Sequence, residues 1–124
     1  MKLAIVGSRG FKSLALVKEF VLRLRPETIV VSGGARGVDQ TALETASLIG
    51  LCTETWRPDW SIGKKAGPYR NEKMISSVQG VVAFWDGTSK GTQNASHLAV
   101  EWQKWLRIYR EDGSFTQVSK GGFK

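Results

Sequence analysis

The 124-residue sequence is nearly free of the residue types that build disulfides and metal sites. It contains one cysteine, Cys52, and one histidine, His97. A single cysteine cannot form an internal disulfide, and because Cys52 lies in an apolar stretch we expect a buried thiol. His97 stands alone between alanines at helical spacing, so the sequence predicts no metal site.

The sequence also lacks a long apolar run, and we expect no signal peptide. No stretch approaches the roughly 18 residues that span a membrane, and Met1 leads directly into a predicted strand. We therefore expect a cytoplasmic protein with no membrane partner. Hydrophobic residues form 41% and charged residues 23% of the chain, which is ordinary for one globular domain.

Two standard nucleotide motifs do not occur. The sequence has no G-x-G-x-x-G, which argues against a conventional NAD or FAD site, and no G-x-x-x-x-G-K-[ST] of a P-loop hydrolase. No cofactor is therefore predicted. The net charge of +7 still favours an anionic partner, but the basic residues are scattered, without the long like-charge run of a nucleic-acid-binding tail.

Three apolar segments each lead into a glycine-rich loop. Residues 3–6 precede the loop 7–10, residues 29–31 precede 32–39, and residues 81–85 precede 86–92. Glycines let backbone N–H groups approach a ligand, and a helix N-terminus favours a phosphate. The loops predict one ligand site, whose expected contacts are Gly7, Ser8, Arg9, Ser32, Gly33, Gly34, Arg36, Gly37, Asp39, Asp86, Gly87, Thr88, Ser89, Gly91 and Thr92.

Helical periodicity follows each of these loops, and the strands are apolar throughout. This pattern is typical of a parallel sheet covered by helices on both faces. We predict an α/β fold, a small single-domain Rossmann-like three-layer sandwich with a mainly parallel sheet of about five strands. Residues 1–110 would form the nucleotide-binding domain, with the last helix reaching Trp105, and the polar residues 111–124 a flexible C-terminal tail.

Tryptophans mark two further surfaces. Trp60, in a predicted loop, is a candidate for stacking on a purine. Trp102 and Trp105 lie three residues apart on the predicted last helix, and so small a domain cannot easily cover both. We therefore expect a homodimer through that surface.

Four ordered segments, residues 7–9, 32–39, 60–74 and 84–92, resemble the SLOG superfamily of Rossmann-like domains. This superfamily includes the DNA-processing Smf/DprA proteins and the LOG phosphoribohydrolases, and the sequence is most similar to its small stand-alone YspA-like branch. The similarity spans about residues 3–109. It implies a cleft that binds nucleotides or nucleotide-derived molecules, including ADP-ribose relatives and signalling nucleotides.

The resemblance carries over unevenly to single residues. Arg70 resembles the arginine of the LOG segment R-K-x-x-M, which faces sugar and phosphate, and a guanidinium fork suits a phosphate by geometry. We therefore expect Arg70 and the neighbouring Asn71 to contact the ligand. In the LOG loop P-G-G-x-G-T-x-E-E, Gly91 and Thr92 match, but Asn94 and Ala95 occupy the two glutamate places. The resemblance thus implies phosphate binding without the expected acid.

Two aspartates are candidate catalytic substitutes for that acid, because cleavage of an N-glycosidic bond needs a carboxylate near the anomeric carbon. Asp39 and Asp86 also have ordinary structural explanations, in the first turn of a helix and before a turn glycine. Binding of a nucleotide or ADP-ribose-like ligand is therefore the first expectation. A nucleoside 5′-monophosphate phosphoribohydrolase is the alternative, and a DprA-like single-stranded DNA binder the further one.

Overall fold

Apolar strands and amphipathic helices alternate along the chain, as the periodicity predicts. The computed structural model describes residues 1–119 and 122–123. In chain order its elements are β1 (Lys2–Gly7), α1 (Leu14–Leu22), β2 (Ile29–Ser32), α2 (Val38–Leu48), β3 (Cys52–Thr55), a 3₁₀ turn (Trp60–Ile62), α3 (Ala66–Ser76), β4 (Gly80–Phe84), α4 (Lys90–Glu101), β5 (Trp105–Tyr109), β6 (Phe115–Ser119) and β7 (Gly122–Phe123).

The strands form one sheet in the order β3-β2-β1-β4-β5-β6-β7. The first five strands in that order are parallel, and β6 and β7 join antiparallel. The winding reverses at β1, which pairs with β2 on one side and β4 on the other. Ligands of open α/β sheets bind outside the carboxyl ends of the strands at such a reversal.

Helices cover both faces of the sheet and make two cores. On one face α1 and α2 pack on the sheet through Val17, Val21 and Ala42. On the other face α3 and α4 pack through Met74 and Ala95. The α/β fold with a mainly parallel sheet in three layers is therefore confirmed.

The chain after residue 110 differs from the predicted flexible tail. Residues 115–119 form β6, which pairs with β5 so that Arg107 lies opposite Gln117. A tight turn makes this hairpin possible, because Asp112 accepts a hydrogen bond from the backbone of Ser114 and Gly113 has φ of 90°. The polar composition concealed the short strand, and residues 120, 121 and 124 of the predicted tail lie outside the described part of the chain.

Two other local predictions are wrong. The last helix ends at Glu101, so Trp105 belongs to β5; Gln103 reverses the chain with φ of 56°, at a position where glycine is the usual signal. Cys52 is exposed, because β3 is an edge strand on which three of four residues face solvent. Within the described residues, no helix has the length and apolar character needed to cross a membrane.

Candidate functional site

A cleft of about 810 Å³ opens where the loops after β1, β2 and β4 meet. The loop after β3, one side of α3 and the first half of α4 form its remaining walls. This volume lies within the roughly 300–1,000 Å³ of small-molecule sites. The position is the one that the reversal of winding at β1 predicts.

Most of the predicted contact residues line this cleft. They are Gly7, Arg9, Gly33, Gly34, Arg36, Asp39, Trp60, Arg70, Asn71, Asp86, Ser89, Gly91 and Thr92. Residues from four separate parts of the sequence therefore surround one space. Their contact with a ligand remains a prediction.

Five predicted contacts lie outside the lining, and they hold the loops in place instead. The buried hydroxyl of Ser32 donates to the carbonyl of Ile5 at 2.6 Å, and that of Ser8 accepts from the backbone N–H of Asp86 at 3.1 Å. Thr88 bonds back to Asp86, while Gly37 and Gly87 adopt positive φ in turns. At Gly37 a side chain would also press on the carbonyl of Arg9.

Three basic residues of the cleft were not predicted. Arg57 follows β3 and Lys90 begins α4, so the rule that ligands gather at strand ends points to both. Lys64 reaches the cleft from the long loop before α3. No local pattern marks it, because its position depends on tertiary packing.

Positive charge dominates the lining of the cleft. It holds six cationic side chains and two carboxylates, namely Arg9, Arg36, Arg57, Lys64, Arg70 and Lys90 against Asp39 and Asp86. Among the described residues, the only ion pair within 4.0 Å joins Lys2 and Glu54, at 2.7 Å. The cations of the cleft are therefore not neutralised by a carboxylate in direct contact within the described chain, and the field favours an anion.

Arg70 is fixed on the floor of the cleft by three acceptors. Its Nη1 donates to the carbonyls of Trp56 at 2.8 Å and Gly33 at 3.3 Å, and its Nε donates to Asn71 Oδ1 at 2.9 Å. No hydrogen bond of the described chain uses Nη2. The guanidinium is thus oriented and keeps donors that a phosphate can accept.

Asn71 links this arginine to the third glycine loop. Its Nδ2 donates to Asn94 Oδ1 at 3.0 Å and to the carbonyl of Gly91 at 3.4 Å. Asn94 is the residue at which the resemblance to the LOG loop would require a glutamate, and its amide oxygen accepts from Asn71. The two amide side chains form a neutral hydrogen-bonded pair in the wall of the cleft.

The two candidate acids differ in their environments. Burial raises the pKa of Asp39 to about 6, although its hydrogen bond from Ala35 and the charge of Arg70 lower it in part. Asp39 as a residue is 5% exposed, and it lines the cleft. A pKa near neutrality suits proton transfer, so Asp39 keeps the chemistry of a candidate acid or base.

Asp86 acts in the structure as a turn residue. Its Oδ1 accepts from the N–H groups of Thr88 and Ser89, each at 2.9 Å, and these bonds hold the pKa of Asp86 below its ordinary value. The carboxylate stabilises the loop before α4. Its catalytic role stays a prediction.

Trp60 lies at the rim of the cleft with 62% of its surface exposed. Asp59 holds the 3₁₀ turn beneath it by accepting from the backbone and hydroxyl of Ser61, at 3.1 and 2.6 Å. An exposed indole on an anchored turn offers a face to a planar base.

Comparison with known proteins identifies a fold. No family model and no curated protein sequence matches the chain. The structure is similar to DNA processing protein A from Helicobacter pylori, whose structure was described for a unique single-stranded DNA binding mode. The TM-score is 0.62 at 24% identity, over 88% of this chain and 65% of that one. The likeness supports a DprA/Smf-type fold, and the chain spans 65% of the length of that neighbour.

Proposed function

We propose that the cleft binds the phosphates of single-stranded DNA. The observation that carries this proposal is the set of six cationic side chains around glycine loops and helix N-termini. The fold is similar to that of a protein described for single-stranded DNA binding, and this likeness supports DNA over an isolated nucleotide as the ligand. We therefore propose single-stranded DNA binding, the last of the three functions considered from the sequence, ahead of nucleotide binding.

The proposed role of each DNA-binding group depends on how deep it lies in the cleft. Backbone N–H groups of the glycine loops and Arg70 hold a phosphate on the floor. Arg9, Arg36 and Lys90 lie exposed at the rim, where they neutralise neighbouring phosphates and release counterions. Trp60 stacks on a base beside them, an interaction that tolerates any sequence.

A free nucleotide or ADP-ribose-like ligand is the second candidate. The size of the cleft and its buried floor of Gly33, Asp39 and Asn71 favour it, because a small ligand can be largely enclosed there. Competition separates the two: a mononucleotide displaces bound DNA at low concentration only if the cleft prefers the small ligand. The resemblance of the sequence to the SLOG superfamily and its YspA-like branch supports this second candidate.

Gly91 provides the decisive variant. A Cβ atom at this position has no neighbour within 4 Å, so Gly91→Asp adds a carboxylate to the cleft without a clash, and Gly91→Asn is its neutral match. We expect Gly91→Asp to bind a fluorescent oligothymidine about 10-fold more weakly than Gly91→Asn in anisotropy at physiological salt. Equal affinity of the two variants would show that the phosphates bind elsewhere.

A further inference from the structure

A second concave surface lies between α1 and the hairpin of β5 and β6. This hairpin groove has a volume of about 360 Å³ and is built around Phe20, Tyr109, Phe115 and Arg107, with Glu19 and Arg23 at its edge. It lies outside the candidate cleft and shares no lining residue with it.

The groove exists because the hairpin extends the sheet past α1. The register places Tyr109 opposite Phe115 and Arg107 opposite Gln117, so these four side chains share one face. Tyr109 packs partly into the core, with its ring stacked on Phe84 at 5.0 Å and 5°. Phe115 is further from the helix and remains 48% exposed.

Arg107 is held in the groove by neutral groups. Its Nε donates to Gln117 Oε1 at 2.8 Å and its Nη1 to the hydroxyl of Tyr109 at 2.9 Å. The guanidinium carbon lies 4.3 Å from the centroid of Phe115. No carboxylate of the described chain forms an ion pair with Arg107, and Glu19 is the one acid in the lining. A fixed cation against an exposed ring is the combination that binds a base and its phosphate.

The loop between β1 and α1 connects the groove to the cleft. Arg9 and Gly10 of this loop line the cleft, and the helix that follows supplies one wall of the groove. The backbone N–H of Lys12 donates to Glu111 Oε2 at 2.6 Å, which ties the loop to the hairpin turn. Tyr109 and Phe84 end neighbouring strands, so both sites lie at the same edge of the sheet.

We propose that the hairpin groove binds a base of the same single strand whose phosphates lie in the cleft. The base stacks on Phe115, the adjacent phosphate accepts from Arg107, and the strand passes over the loop of Arg9 and Lys12 between the two sites. This inference rests on the proposed function.

The test compares a short and a long oligothymidine, of about 4 and about 16 nucleotides, which bracket the site sizes of single-strand binding domains. Phe115→Leu keeps an apolar side chain but removes the ring, and Phe115→Tyr keeps the ring as the matched control. We expect Phe115→Leu to bind the long strand about 10-fold more weakly and the short one unchanged, with Phe115→Tyr equal to the parent. Urea unfolding of each variant checks that the hairpin is intact.

Each other outcome has a distinct meaning. If Phe115→Leu binds both oligothymidines as the parent does while Gly91→Asp binds both more weakly, the groove inference fails. The proposal that the cleft binds DNA is then retained. An equal loss for both lengths also overturns the groove as a second contact. If the parent binds neither length, both proposals fall. A change of mass in light scattering without a change of affinity would make the groove an interface between copies.

Discussion

The guanidinium of Arg70 occupies the space that a side chain on Gly33 would need. The same guanidinium donates to the Gly33 carbonyl at 3.3 Å, so the loop and the arginine fix one another. The second glycine loop therefore requires glycine for close packing as well as for access by a ligand.

Gly33→Ala should displace Arg70 and weaken both stability and DNA binding. Overpacking at a buried position costs about 1–3 kcal/mol, whereas Gly91→Ala adds the same methyl group into open space. Urea unfolding of the two variants measures the difference. Equal stability of the two would mean that the arginine moves aside without cost.

Asp39 should make the stability depend on pH. Burial raises its pKa from 3.8 to about 6, so the folded chain holds this proton more tightly than the unfolded chain does. The stabilisation is complete below about pH 4 and is lost as pH rises through about 6, a change of roughly 2–3 kcal/mol. Urea unfolding of the parent and Asp39→Asn at both ends of this range gives the contribution by difference, and a constant difference would contradict it.

The same carboxyl group should set the pH dependence of DNA binding. Phosphodiesters do not titrate near pH 6, so a gain in affinity for oligothymidine below that pH reports loss of the Asp39 charge beside the phosphates. We expect a several-fold gain from about pH 7.5 to pH 5 in the parent and a clearly smaller one in Asp39→Asn. If both proteins gain equally, another group is responsible.

We expect the protein not to hydrolyse the N-glycosidic bond of nucleotides. Asn94 stands where the resemblance to the LOG loop would require a glutamate, and Asp86 Oδ1 is engaged by the turn at Thr88 and Ser89. Incubation with the four ribonucleoside monophosphates and with NAD should release no free base above a blank in chromatography. Release that Asp39→Asn abolishes would instead identify a hydrolase with Asp39 as its acid.

The predicted homodimer can now be tested at a narrower surface. Trp102 is 38% exposed and Val100 51%, whereas Trp105 packs partly against the core from β5. We expect light scattering to give a dimer that Trp102→Arg converts to a monomer, because a charge in an apolar interface is costly to bury. A parent protein that is monomeric in light scattering at high concentration would contradict the prediction.

The sequence predicted those features of the fold that depend on residues close together in the chain. The apolar runs of β1, β2 and β4 and their glycine loops follow from composition and from the rule that parallel strands end at one edge. The exposure of Cys52 was missed because burial depends on the place of β3 in the sheet, which its own residues do not encode. Lys64 and the pairing of Arg107 with Phe115 were missed for the same reason, since each depends on segments that meet only after folding.

The edge position of β3 has a practical consequence. Cys52 is the one cysteine of the sequence, and its partner in the sheet, Ile29, begins β2. A thiol-reactive dye would therefore attach at a single point. This point lies at the amino ends of the strands, whereas the cleft lies at their carboxyl ends. Such a label leaves every site residue native, so its rotational diffusion can report the binding of unlabelled DNA.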